Sequence, residues 1–211
     1  MMTATDAVRL FQSQLGTVED PLGSNNIIYN TEYYGHPVSG AKYPYCAVTI
    51  WWIMKHLGDS SLYYGGKKTA SCITLLSWAR SAKLTVPVDQ LRPGDIVFYD
   101  WNANGQPDHV GMVEQDTGGT EVVSLEGNTD DGVFRKRRNR RYIMAAYRPL
   151  YQGEDGAYNT INQVPVWYRE AVQAYVDAGA ISGTGSGLNL TDNDCRQITF
   201  NWRYINHADS K

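Results

Sequence analysis

Hydrophobic and polar positions along the chain fall into two textures. From Asp6 to Leu15 the apolar residues Ala7, Val8, Leu10, Phe11 and Leu15 recur near helical spacing. Thr5 or Asp6 is placed to cap this stretch and Gly16 to stop it, which predicts a first helix. Residues 17–45 show no period and are crowded with Pro, Gly, Asn and Tyr, the pattern of a long loop, which in a compact domain usually serves function. Cys46–Leu57 is apolar almost all round and stops at Gly58, as a buried helix does, and a further helix is expected from about Ala70 to Ala82. After the Pro93-Gly94 turn the period shortens to two. Asp95–Tyr99, His109–Glu114, Glu121–Leu125, Val133–Arg137 and Tyr142–Tyr147 read as short strands of an antiparallel meander. Helices first and strands after predict an α+β domain over residues 1–150. The polar, glycine-bearing stretch 151–165 predicts a linker, and 166–211 a small module of two helices. Those helices are Val166–Ala178 and one opened by Thr191, where Asp192 and Asp194 read as helix-start residues rather than metal ligands.

Composition narrows the picture. With 211 residues, 42% apolar and 19% charged, the chain can bury a sizeable core and is not a disordered segment. A net charge of −3 gives no whole-chain drive toward nucleic acid or an anionic membrane. Fifteen Tyr and six Trp against four Phe supply many rings with a polar edge, suited to a cleft or a sugar-rich ligand. Cys46, Cys72 and Cys195 form neither a disulfide framework nor a metal-type Cys-x-x-Cys pair, which makes a reducing compartment the default. No apolar run approaches the ~20 residues that a membrane span needs. The start, Met1-Met2-Thr3-Ala4, has neither the basic opening nor the apolar stretch of a secretory signal, so synthesis in the cytoplasm without a signal peptide is expected.

Three residues stand where cysteine chemistry would place them. Cys46 opens a helix, where free N–H groups and the dipole favour a thiolate, although taken alone beside Ala47, Val48 and Ile50 a core cysteine is the preferred reading. Among four histidines, only His109 begins a strand, a position rigid enough for a general base; a structural histidine is the competing reading. Glu126 and Asn128 follow the strand that would pair with the one begun by His109, and either can orient an imidazole, while Glu126-Gly127-Asn128 also suits an ordinary turn.

Together these segments resemble the CHAP amidohydrolase/peptidases, papain-like relatives of the NlpC-type cell-wall hydrolases. The resemblance rests on Tyr43-Pro44-Tyr45-Cys46-Ala47, on Leu91-Arg92-Pro93-Gly94-Asp95-Ile96-Val97 ahead of Asp108-His109-Val110-Gly111, and on Leu125-Glu126-Gly127-Asn128, in that order. It implies a papain-like α+β domain with helices packed on an antiparallel sheet. It also implies Cys46 as nucleophile, His109 as general base and then acid, Glu126 as the group orienting His109, and Asn128 as a polar neighbour of the site. No cofactor is required. Substrate contacts are expected from Glu19, Asn25, Asn26 and Tyr29 in the upstream loop and from Tyr45, which stands where the family often has Trp. The implied substrate is bacterial peptidoglycan, and the implied source a phage or prophage endolysin that reaches the wall after release from the cytoplasm. The same chemistry on a non-wall amide, and an idle wall-binding module, are the competing functions.

Other signals are local. Asp100, Asn102, Asn104 and Asp108 match the first half of a calcium loop, but position twelve is Gly111 rather than a bidentate glutamate. A polar hairpin turn is the preferred reading there, and calcium the alternative. Six basic residues in seven positions, Arg135 to Arg141, read as a solvated strand edge or as an attraction to anionic wall polymers; no aromatic stripe interleaves them as nucleic-acid binding would need. The tail module looks like the small helical appendages of some cell-wall hydrolases, with wall binding, self-association or plain packing as its roles.

Overall fold

The computed structural model describes residues 2–151, 158, 160–164, 166–183, 187–188 and 190–208. Two compact units divide the chain, Met2–Pro149 and Leu150–Lys211.

The first unit opens with α1 (Ala4–Gln12). It starts earlier than the apolar pattern implies because Thr3, not Thr5 or Asp6, is the cap. The Thr3 hydroxyl accepts the Asp6 N–H at 3.0 Å while the Asp6 carboxylate accepts the Thr3 N–H at 3.1 Å. The stretch 17–45 is not loop throughout, since Ile28–Tyr34 forms α2, which ends on Gly35 in the left-handed conformation and turns Tyr29 and Asn30 inward. Next comes α3 (Cys46–Leu57), whose first nine residues are all buried and whose end is set by Gly58 at φ 96°. The Ser71 hydroxyl caps α4 (Cys72–Ser81) by accepting the Thr74 N–H at 3.2 Å.

Six strands form one antiparallel sheet in the order β1-β6-β2-β3-β4-β5. Strands β2 (Ile96–Tyr99), β3 (His109–Asp116), β4 (Glu121–Thr129) and β5 (Gly132–Asn139) make the expected meander. β6 (Ile143–Tyr147) returns to the free side of β2, and the two-residue β1 (Thr85–Val86), which gives no sequence signal, pairs outside it. The register of β4 and β5 shifts between Gly127 and Thr129, where Asn128 takes φ 59°. β4 thus runs past Leu125, its expected end, pairing regularly to Gly127 before the bulge.

Alternation along β4 assigns its two faces. Val122 lies with Val97, Tyr99, Val113 and Ile143 in an apolar cluster, and Ser124 and Glu126 share that face by the period of two. Gly127 points the other way, toward α3, and the two backbones meet there. A Cβ on Gly127 would stand 2.1 Å from Thr49 Oγ1 and 2.7 Å from Thr49 Cβ. Glycine is thus what lets the helix that carries Cys46 lie close to the strand that carries Glu126.

In the second unit, α5 (Val166–Asp177) and α6 (Asp192–Ala208) bury Val164, Val172, Leu190 and Cys195, with Tyr158 bridging to Leu190. Thr191 and Asp194 cap α6 reciprocally, with the Asp194 carboxylate accepting the Thr191 N–H at 2.8 Å and the Thr191 hydroxyl accepting the Asp194 N–H at 3.2 Å. Much of the expected linker, 152–157, 159 and 165, lies outside the described residues, as does the side chain of Asp192. No helix among the described residues is long and apolar enough to cross a membrane.

Gly127→Ala is expected to lower stability by about 1–3 kcal/mol, the usual range for an extra methyl forced into a closed contact. The midpoint of chemical denaturation reads the loss, and adding Thr49→Ala, which removes the nearest clashing atom, restores part of it.

Candidate active site

Cys46 is the first residue of α3, where the N–H groups of the opening turn have no partner four residues back. Its sulfur is buried, and the Cys72 sulfur at the head of α4 lies 3.6 Å away. The thiol is held well below the usual cysteine range. The largest cause is the hydrogen bond that Cys72 donates; burial works against it, and the His109 side chain and the Ala47 N–H add to it.

His109 is the first residue of β3 and is nearly buried. Its Nε2 donates to Glu126 Oε2 at 3.1 Å, which leaves Nδ1 as the ring nitrogen for the cysteine. Burial pushes this imidazole down, but the paired charges of Cys46 and Glu126 outweigh it and raise His109 to about 9. Both shifts run toward the charged forms, thiolate for Cys46 and imidazolium for His109.

Glu126 has no exposed surface, and its carboxylate is surrounded by donors. Arg138 of β5 grips both oxygens, Nε to Oε1 at 2.9 Å and Nη2 to Oε2 at 2.6 Å. Ser124 donates to Oε1 at 2.6 Å and is itself held by the Tyr99 hydroxyl at 2.9 Å, while Thr129 donates to Oε2 at 3.0 Å. Burial alone would raise this carboxyl; Arg138 and His109 reverse that and hold it at about 2. Space for the side chain comes from Gly111 across the strand pair, where a Cβ would stand 2.9 Å from Glu126 Cγ.

The CHAP domain family model matches residues 38–128, a span that contains Cys46, His109 and Glu126. The chain carries a CHAP domain. Domains of this family are typically cysteine- and histidine-dependent amidohydrolases. None of the curated proteins matches the chain. Among solved structures, the crystal structure of Ly7917 is 16% identical with a TM-score of 0.42, and the match covers 70% of this chain and 62% of that one, so the chain spans less than two thirds of that protein's length.

Around the CHAP site, several expected residues take other places. Among the described residues no hydrogen bond joins the Asn128 side chain to Cys46, His109 or Glu126. Its contribution is the left-handed bulge, after which Thr129 faces the carboxylate. Tyr29 and Tyr45 have no exposed surface and cannot meet a substrate. The Tyr45 hydroxyl donates to Glu19 Oε1 at 2.9 Å and the Tyr29 hydroxyl to Gln14 Oε1 at 3.2 Å. Glu19 is likewise buried, its second oxygen accepting the Asn25 N–H at 2.7 Å. Asn25 and Asn26 stay partly exposed, but their amides pin the loop to Gly40 O and Asp20 O.

The basic run is likewise taken up by partners. Arg135 pairs with Glu114, Lys136 with Asp130, Arg137 with Glu121, Arg138 with Glu126 and Arg140 with Asp116. Arg135 and Arg137 nevertheless stay more than half exposed, and Arg141 lies over the Tyr142 ring. The loop before His109 closes on itself: Asp100 accepts the Asn104 and Gly105 N–H groups, Asn104 accepts the Gln106 N–H, and Asp108 accepts the Trp101 N–H. Among the described residues no group of three or more His, Cys, Asp or Glu is placed to hold a metal. What this loop presents is Trp101, which stacks on Tyr99 at 4.7 Å, lies under the Arg138 guanidinium at 4.9 Å and stays 38% exposed beside His109.

Arg138→Met is expected to cost about 2–3 kcal/mol at neutral pH, less than the loss of a fully buried partner because Arg138 is itself a quarter exposed. The Glu126 carboxyl sits at about 2 in the folded protein against about 4.3 in an unfolded chain, so its stabilisation is present above the higher value and fades as pH falls through the lower. Denaturation followed from pH 7 to 2 therefore shows the gap between wild type and variant closing in acid.

Proposed function

We propose that the chain is a peptidoglycan hydrolase that cleaves an amide bond through Cys46, His109 and Glu126, as a phage or prophage endolysin does. The observation that carries this reading is the Cys46–His109–Glu126 constellation inside the CHAP match, with both the thiol and the imidazole displaced toward their charged forms.

In this mechanism the Cys46 thiolate attacks the amide carbonyl. The developing oxyanion takes the free N–H groups at the start of α3, where the helix dipole also favours negative charge. The His109 imidazolium gives its proton to the leaving amine, and a thioester remains on Cys46. Neutral His109 then deprotonates a water that attacks the thioester, releasing the acid and restoring the pair. Glu126 does not take the proton; as a carboxylate accepting the Nε2–H through Oε2, it fixes the ring and stabilises its cationic form. The exposed part of Trp101 beside His109 offers an apolar contact for a sugar or peptide group near the site.

Incubation of purified Gram-positive sacculi with wild type and Cys46→Ala is expected to release new amines from the wild type alone, read by amine labelling and mass spectrometry. Fragment masses assign the bond to stem, bridge or sugar–peptide junction. Absence of new amines from every wall tested, with cleavage of soluble peptides by the same sample, transfers the chemistry to a non-wall amide. Wall binding without cleavage by either protein makes the chain an idle binder.

A further inference from the structure

The mechanism makes and breaks bonds at Cys46 and none at Cys72, although the two sulfurs lie within hydrogen-bond reach. Each cysteine is the first residue of a helix, Cys46 of α3 and Cys72 of α4, and the two helix starts converge until the sulfurs are 3.6 Å apart. Both side chains are almost fully buried, and both are free thiols. A disulfide bond of about 2.05 Å needs these sulfurs to close by about 1.5 Å.

We propose that Cys46 and Cys72 are the two halves of a reversible oxidation site, in which hydroperoxide-class oxidants convert the nucleophile into a Cys46–Cys72 disulfide and dithiol reductants release it. The proposal rests on Cys46 being the reactive thiol of the reading above. The Cys46 thiolate attacks the peroxide, forming an S–O bond as the O–O bond breaks. Cys46 becomes a sulfenic acid, and the departing hydroxide takes a proton from solvent and leaves as water. The Cys72 sulfur then attacks Cys46, the S–O bond breaks, and the Cys72 proton departs with the oxygen as a second water. Two thiols have lost two electrons to one peroxide. The division of labour fits the environments: Cys46 is held toward thiolate, the form that peroxide oxidises, whereas the hydrogen bond to Cys46, burial and the neighbouring Cys46 charge keep Cys72 a thiol until it resolves the sulfenic acid. Without a resolving partner, a low-lying thiolate proceeds to the irreversible sulfinic acid.

The test reads mass, not lysis. Reduced wild-type protein, freed of reductant, is treated with hydrogen peroxide and digested without reduction. The expected product is a peptide pair joined through Cys46 and Cys72, lighter by two hydrogens, which dithiothreitol separates again. In Cys72→Ala and Cys72→Ser, each checked for folding by circular dichroism, the same treatment is expected to carry Cys46 to a sulfinic acid that dithiothreitol does not reverse. Sulfinic acid on Cys46 of the wild type with no joined pair overturns the proposal. The joined pair forming in a protein that releases nothing from sacculi leaves the oxidation site standing and rejects only the wall-hydrolase reading.

Discussion

A carboxylate without exposed surface has to be surrounded by donors, and in this domain that requirement organises the site. Glu126 gathers the Arg138 fork, Ser124, Thr129 and the His109 ring on two oxygens. These partners come from three adjacent strands. The sheet order β3-β4-β5 is therefore also the order in which imidazole, carboxylate and guanidinium are brought together. The Arg138 charge lets Glu126 stay ionised while buried, and an ionised Glu126 lets His109 hold a proton at neutral pH. The positive ring in turn favours the Cys46 thiolate.

Two glycines let the backbones approach closely enough for this. Gly111 leaves room across β3 for the Glu126 side chain, and Gly127 leaves room on the opposite face for Thr49 of α3. One sets the carboxylate under the histidine; the other sets the helix of the nucleophile against the strand of the carboxylate. Packing and catalytic geometry are thus the same constraint, which is why the site lies at the junction of the helical layer and the sheet rather than on a surface loop.

Much of this was legible in the chain because the signals are local. A long apolar run ending in Gly58 marks α3 and puts Cys46 at its head, and the shift to a period of two after Pro93-Gly94 marks the sheet and puts His109 at a strand start. The missing parts depend on tertiary contact. Arg138 is one of six neighbouring cations, and only the pairing of β5 with β4 singles it out. Thr129 reaches Glu126 through a bulge that no spacing rule announces, so Asn128, the residue that makes the bulge, attracts the assignment. Cys72 lies 26 residues from Cys46 and meets it only when two helix starts converge. Tyr29, Tyr45 and Glu19 look like polar cleft residues because Tyr and Glu are usually accessible, whereas here the Tyr45 hydroxyl meets the Glu19 carboxylate and the Tyr29 hydroxyl meets Gln14 inside the fold. α2 has seven residues and no side-chain cap, too little for a periodicity argument to detect.

The account turns on the charge state of Cys46, and ultraviolet titration of the thiolate measures that directly. The absorbance near 240 nm of the wild type minus that of Cys46→Ser, followed from pH 4 to 10, is predicted to show the Cys46 thiolate forming well below the range of an unperturbed cysteine and persisting upward, because Cys72 and His109 both favour it. A difference signal that grows in only around pH 8.5, the value of an unperturbed cysteine, contradicts the ion pair and with it the role assigned to Glu126 and Arg138.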